Sequence, residues 1–148
     1  MRIGFYTYSY LDKLRMPVEE TLERIARTGY SGIDVSGTYG ASDDPRSFDT
    51  DRRRFVRTAA EKYNLRIEAV ITHAQLTNTL ADPDQEPLDL AGTVDLAADL
   101  GAPVVTFHMG GTPDGTSRDA LWTQVVETLR TAADYGAARH VSIAVDRI

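Results

Sequence analysis

The stretch Leu96-Ala-Ala-Asp-Leu-Gly-Ala-Pro-Val-Val-Thr-Phe-His108 holds a helix end, a turn and a strand within 13 residues. Leu90, Val94, Ala97 and Ala98 fall at helical spacing ahead of the turn, so a helix is expected from about Leu88 to Leu100 with Gly101 as its stop. Pro103 to His108 is a short apolar run suited to a buried strand, and it closes on a histidine. The same unit recurs on either side. Strands are expected at Ile3–Tyr8, Gly32–Ser36, Leu65–His73 and Val141–Asp146 as well. The intervening helices are expected over Pro17–Thr28, from an Asp49 or Thr50 cap onward, and from a Ser117 cap to Gly136. The second helix presents Phe55, Val56, Ala59, Ala60 and Tyr63 on one side. The fourth presents Trp122, Val125, Val126, Leu129 and Ala133, and Trp122 reads as a core residue packed on the sheet.

Strands that alternate with helices pair in parallel, because only a crossover returns the chain to the same end of the sheet. The strand C-terminal ends then share one rim, and three of them carry His73, His108 and Asp146. Such a rim is where an α/β protein places a metal or its acid–base chemistry. His140 precedes the fifth strand, which places it at the opposite, stability face. The expected order is 1-2-3-4-5, with four helices on one outer face.

Composition narrows the function classes. The 148 residues carry 16 Lys and Arg against 22 Asp and Glu, a formal charge of −6, which disfavours generic binding to a phosphate backbone. The densest basic run, Arg52-Arg53-Arg54, reads as a solvated helix face. The absence of cysteine removes disulfides, thiolate metal sites and a Cys nucleophile. Met1-Arg-Ile-Gly-Phe leads directly into a strand, and no apolar stretch nears the ~20 residues of a bilayer span, so no signal peptide, no membrane contact and a cytoplasmic location are expected. One domain over residues 1–148 is expected.

Two folds share the pattern, a doubly wound open sheet and a (β/α)₈ barrel. The turn after the first strand, Tyr8-Ser-Tyr-Leu-Asp-Lys13, is not a phosphate-binding glycine loop, and neither nucleotide motif occurs elsewhere. The turn His108-Met-Gly-Gly-Thr-Pro-Asp-Gly115 is glycine-rich without the spacing of either motif.

Four ordered pieces carry a family resemblance: Gly29-Tyr-Ser-Gly-Ile-Asp-Val35, His73-Ala-Gln-Leu-Thr-Asn-Thr-Leu-Ala-Asp-Pro-Asp84, Leu96 to His108, and Val141-Ser-Ile-Ala-Val-Asp146. Together they resemble the N-terminal part of the xylose isomerase-like TIM barrels, which include sugar-phosphate isomerases and epimerases and endonuclease IV-type AP endonucleases. The resemblance implies a partial (β/α)₈ barrel of about five strands and four helices, truncated before strands six to eight. It implies a metal-dependent sugar or sugar-phosphate isomerase/epimerase-like protein, an enzyme when the full barrel is present and an inactive fragment alone. The implied cofactor is a divalent ion (Mn, Mg, Co or Zn), with Asp146 where the family presents a metal-binding Glu. Gln75 departs from the family's usual Pro, and Asp146 is one methylene shorter than Glu.

The remaining candidates come from position. His108 and Glu68 are read as catalytic groups, and Asp34, His73, Gly110 and Gly111 as substrate-binding groups, the two glycines by holding a phosphate on their backbone donors. Strict alternation places Glu68, Val70 and Thr72 on one face of the third strand and Ile67, Ala69 and Ile71 on the other. Phe5 to Tyr10 offers an aromatic wall to a sugar ring. The alternatives are an AP endonuclease with His73 and His108 as zinc ligands, and a non-catalytic open α/β module that binds a small molecule. Exposed sheet edges point to self-association.

Overall fold

The structure is a computed structural model that describes residues 3–8, 16–37, 48–81 and 88–146. Five strands, β1 (Gly4–Tyr6), β2 (Gly32–Ser36), β3 (Arg66–Gln75), β4 (Val104–His108) and β5 (Ser142–Asp146), form one parallel sheet in the order β1-β2-β3-β4-β5. Between them run α1 (Val18–Arg27), α2 (Thr50–Lys62), α3 (Leu76–Ala81), α4 (Leu90–Leu100) and α5 (Arg118–Ala137). Sequential order with right-handed crossovers curls such a sheet toward a barrel and stacks the main helices on its outside.

The caps at Asp49 and Ser117 act as the sequence foretold, and Asp89, not read as a cap, does the same for α4. Asp49, Asp89 and Ser117 each accept a bond from the backbone N–H three residues on, satisfying an orphan donor of α2, α4 and α5. Gly101 ends α4 in the left-handed conformation at φ 75°. Ile33 and Val35 of β2, Val70 of β3, and Val105 and Phe107 of β4 point outward and are fully buried against α1, α2 and α4 residues such as Leu22, Val56 and Val94. Burial of each such side chain stabilises the fold by roughly 1.5–3 kcal/mol.

Five readings change. A fifth helix, α3, occupies what reads as a loop after β3. Trp122 is 63% exposed and Phe55 48% exposed, so neither is core. The buried stripe of α5 is Leu121, Val125, Ala132 and Gly136, rotated so that Leu121 rather than Trp122 meets the interior and Ala133 faces solvent. Gly136 does not stop α5. It lies inside the helix because a Cβ there would come 2.5 Å from the Val141 carbonyl oxygen. Arg53 leaves the solvated face: it donates to the Phe48 carbonyl oxygen (2.7 Å) and pairs with Asp99 (2.8 Å).

The alternation of β3 is the fifth change. Ile33 pairs with Ile67 but Asp34 pairs with Ala69, so Glu68 is an extra residue, a β-bulge. Beyond it the faces exchange. Val70 and Thr72 turn outward into the core, Ala69 and Ile71 turn to the inner face, and a second register shift lies between Ile71 and Gln75. Glu68 still lies on the inner side, over Gly32, where an added Cβ would sit 2.8 Å from its Cγ.

Candidate active site

Parallel pairing brings the strand C-terminal ends to one rim, where β1, β3, β4 and β5 place Tyr6, His73, His108 and Asp146. His108 and Asp146 are direct partners in the β4–β5 ladder. Their side chains converge, with His108 Nδ1 3.9 Å from Asp146 Oδ2. That separation is within ion-pair range for a protonated ring and too long for a hydrogen bond. Nδ1 is buried and has no hydrogen-bond partner among the described residues. An unpaired buried nitrogen costs about 1–3 kcal/mol, so such a group calls for a partner such as a water, an ion or a ligand.

His73 approaches from the other side. It lies on the inner face, its Nε2 2.5 Å from the Tyr6 hydroxyl and its ring centroid 4.2 Å from that of Tyr8. Tyr6 and Tyr8 stack at 5.8 Å, and the His73 and His108 rings are 6.0 Å apart. Tyr6 and Tyr8 thus hold His73 in the cluster. Ser9 and Tyr10 of the same aromatic run, and Asp82-Pro83-Asp84 after α3, lie outside the described residues.

The carboxylates of the inner face divide differently. Asp34 pairs with Tyr6 across β1–β2, close to the rim. Burial, and then the negative charge of Glu68, hold its carboxyl above the ordinary range. Glu68 turns toward the strand starts, where Arg66 Nε is 3.6 Å away, so it shares the inner face with the histidines but at a lower level. His73, His108 and Asp146 are therefore brought together, and Glu68 stands apart from them with Asp34 nearer.

Gly110 and Gly111 lie in the turn after β4. Gly110 adopts φ 82°, and a side chain there would collide with the Thr77 hydroxyl and Gln75. Thr77 donates both its backbone N–H (3.0 Å) and its hydroxyl (2.8 Å) to the Met109 carbonyl oxygen, which pins the start of α3 to this turn. Gly111 has open space around its Cα. The turn borders a groove of about 520 Å³ that also touches Arg118 and Trp122. The missed element here is α3; the signal for it was Leu76 and Leu80 at a spacing of four, too short a run to read as a helix.

Among the described residues no three His, Asp or Glu side chains form a group able to hold a metal ion, and no helix is long and apolar enough to cross a membrane. His140, at φ 58° in the turn before β5, lies away from the rim.

A xylose isomerase-like TIM barrel family model matches residues 22–148. The chain belongs to the xylose isomerase-like TIM barrel family. No curated protein matches it. Among solved structures it is similar to a D-psicose 3-epimerase in the presence of D-fructose, at 14% identity and TM-score 0.74, covering 98% of this chain and 52% of that one. It is also similar to a D-allulose 3-epimerase from Methylomonas sp., at 18% identity and TM-score 0.72, covering 98% and 50%. A third similar structure, the probable 3-DHS dehydratase AsbF of Bacillus anthracis, has 13% identity and TM-score 0.71, covering 98% and 52%. The chain spans about half the length of these structures. At such identities the likeness shows the fold, and one fold of this kind carries several chemistries. In the frame of an eight-stranded barrel, the xylose isomerase-like chain described here supplies five neighbouring strands and one continuous arc of the rim.

Proposed function

We propose that this chain supplies the N-terminal arc of a metal-dependent sugar or sugar-phosphate isomerase or epimerase. The observation that supports the reading is the convergence of His73, His108 and Asp146 on one rim of a xylose isomerase-like sheet. Aldose–ketose isomerisation and 3-epimerisation both move a weakly acidic proton beside a carbonyl. They need a group to carry the proton and a means of stabilising the enediolate.

The donor set suits a divalent ion in part. Asp146 offers an exposed carboxylate, one donor of the kind Mn, Mg, Co or Zn accepts. Further donors have to come from the rest of a barrel. Bound there, the ion would offset negative charge on the substrate oxygens. His108 Nδ1 would hold a substrate hydroxyl or carry its proton. His73, fixed by Tyr6, would orient the sugar, and Asp34 would accept a hydrogen bond from a second hydroxyl. Gly111, with Gly110 setting the turn, would present backbone donors to a phosphate where the substrate carries one.

The adjacent rings of His73 and His108 also suit a second reading, an AP endonuclease with zinc, which the charge of −6 opposes. The test assays a complete barrel containing this chain on ketohexoses, their phosphates and abasic DNA, with Mn, Co, Mg or Zn. Epimer or ketose–aldose interconversion supports the proposal. Strand cleavage without sugar turnover assigns the second reading, and metal-independent sugar binding without turnover assigns a binding module.

A further inference from the structure

The β3–β4 ladder breaks step just below the rim. Ile71 faces Thr106 and Gln75 faces His108, so four steps along β3 span only two along β4. The surplus bulges the end of β3, and His73 stands within it. A bulge re-aims a side chain, but it also interrupts the ladder, so its far side has to be closed by another contact if the re-aimed group is to stay in place. That contact is made by Thr77. Its backbone N–H (3.0 Å) and its hydroxyl (2.8 Å) both donate to the carbonyl oxygen of Met109, the residue after His108. The Met109 N–H in turn donates to the Asp146 carbonyl oxygen of β5 at 3.0 Å. The residue that follows His108 is therefore tied to β5 on one side and to Thr77 on the other. Thr79 uses its hydroxyl locally, on the Leu76 carbonyl oxygen, whereas the Thr77 hydroxyl reaches across 32 residues.

We propose that Thr77 is a positioning residue of the candidate site: through the Met109 carbonyl it closes the β3 bulge onto the end of β4, and so sets the spacing of His73 and His108, whose rings are 6.0 Å apart. The part those histidines play rests on the sugar-enzyme reading; their spacing does not. The contact has no slack. Thr77 is buried, and a Cβ at Gly110 would lie 2.4 Å from its hydroxyl oxygen and 3.0 Å from Gln75 Cβ. The turn can close this far only because Gly110, at φ 82°, has no side chain. A hydroxyl and a methyl are consequently not interchangeable at Thr77. The O–H···O=C contact closes at 2.8 Å, whereas a carbon stands about 3.3–3.6 Å from a carbonyl oxygen. Thr77→Val keeps the backbone bond but pushes Met109 and Gly110 away from the start of α3, and His108 moves with them.

The test compares Thr77→Val with Thr77→Ser in a complete barrel containing this chain, by crystal structure and by kinetics on the ketohexose or ketohexose phosphate that it interconverts. The expected result is that the valine variant changes the separation of the His73 and His108 rings, and that the serine variant keeps it. In the valine variant kcat/KM should fall by about 10–100-fold with KM raised, and serine should restore both to within a few-fold of the parent. A variant that is only less folded loses kcat in proportion and leaves KM unchanged, so the raised KM separates positioning from stability. Thr77→Ala, which deletes the hydroxyl without crowding the turn, supplies the same readings should the valine variant not fold. Rings at the parent spacing in the variants that lack the hydroxyl, or a KM equal to that of the serine variant, would overturn the proposal. A barrel that turns over no sugar removes the sugar-enzyme reading instead, and the ring spacings then decide the role of Thr77 by themselves.

Discussion

His108 and Asp146 are partners on adjacent parallel strands, and their side chains reach over the rim until Nδ1 and Oδ2 are 3.9 Å apart. The gap is too wide for a direct hydrogen bond, and Nδ1 has no other partner among the described residues. Under the proposed function, the bound group would lie between or beside these two atoms.

Asp146→Asn is accordingly expected to weaken divalent-ion binding and turnover together in the complete enzyme. Loss of groups that merely orient metal ligands costs about 10–100-fold in affinity, and loss of a ligand should cost at least as much. Calorimetric metal titration alongside turnover measures both. Wild-type affinity and rate in the variant would assign Asp146 to a structural cap.

A second expectation concerns how His73 reaches the site. Counting from Ile67, which is buried and in register with Ile33, an unbroken strand would carry His73 to the outer face with Ile67. The extra residue Glu68 reverses the faces through Ile71, and a further shift lies between Ile71 and Gln75. Glu68→Ala keeps the chain length, so the Tyr6–His73 contact should persist and the thermal midpoint should move by only about 2–4 °C. Deletion of Glu68 shifts Val70 out of the core and Ile71 into it and should abolish a cooperative transition. A deletion variant that unfolds as sharply as the parent would show that the bulge does not set the register.

Much of this architecture is legible in the residues themselves. Helix caps at Asp49 and Ser117, the stop at Gly101 and the parallel order all follow from local signals that the tertiary structure does not override. The gathering of His73, His108 and Asp146 followed from topology, since strand ends of parallel neighbours share a rim. The bulge did not, because a one-residue insertion leaves no mark in an apolar run that includes both Ala69 and Ile71. Trp122 misled for a related reason: helical periodicity fixes a stripe only to within one residue, and the larger side chain was given the inward place that belongs to Leu121. The Tyr6–His73 contact joins residues 67 apart in sequence, beyond the reach of any local pattern.

Gly136 provides a third check. It is a mid-helix glycine, where replacement by alanine ordinarily gains up to about 1 kcal/mol. Here the added methyl would meet the Val141 carbonyl oxygen at 2.5 Å, and that carbonyl belongs to the backbone leading into β5. Backbone cannot swing aside as a side chain can, so Gly136→Ala should destabilise by roughly 1–3 kcal/mol. Urea denaturation with an unchanged m-value would measure it. A stabilised variant would mean that α5 and β5 are less closely packed than described.

The last expectation is a pH dependence at Asp34. Its carboxyl is held above the ordinary value of 3.8, first by burial and second by the charge of Glu68. The folded state therefore keeps this proton more tightly than the unfolded state. Stability linked to the group is fully present below the unfolded value and falls as pH rises through the folded one. At neutral pH the ionised carboxylate is a net cost, so Asp34→Asn, which cannot ionise, should be more stable than the parent. The advantage should shrink as pH falls toward 3.8 and vanish below it. Paired denaturation curves from pH 3 to pH 8, within the range where carboxyl groups titrate, supply the comparison. An Asn variant equally stable at every pH, or less stable at neutral pH than in acid, would mean that the Asp34 carboxylate is satisfied in the folded state, and its place among the substrate-facing groups would be lost.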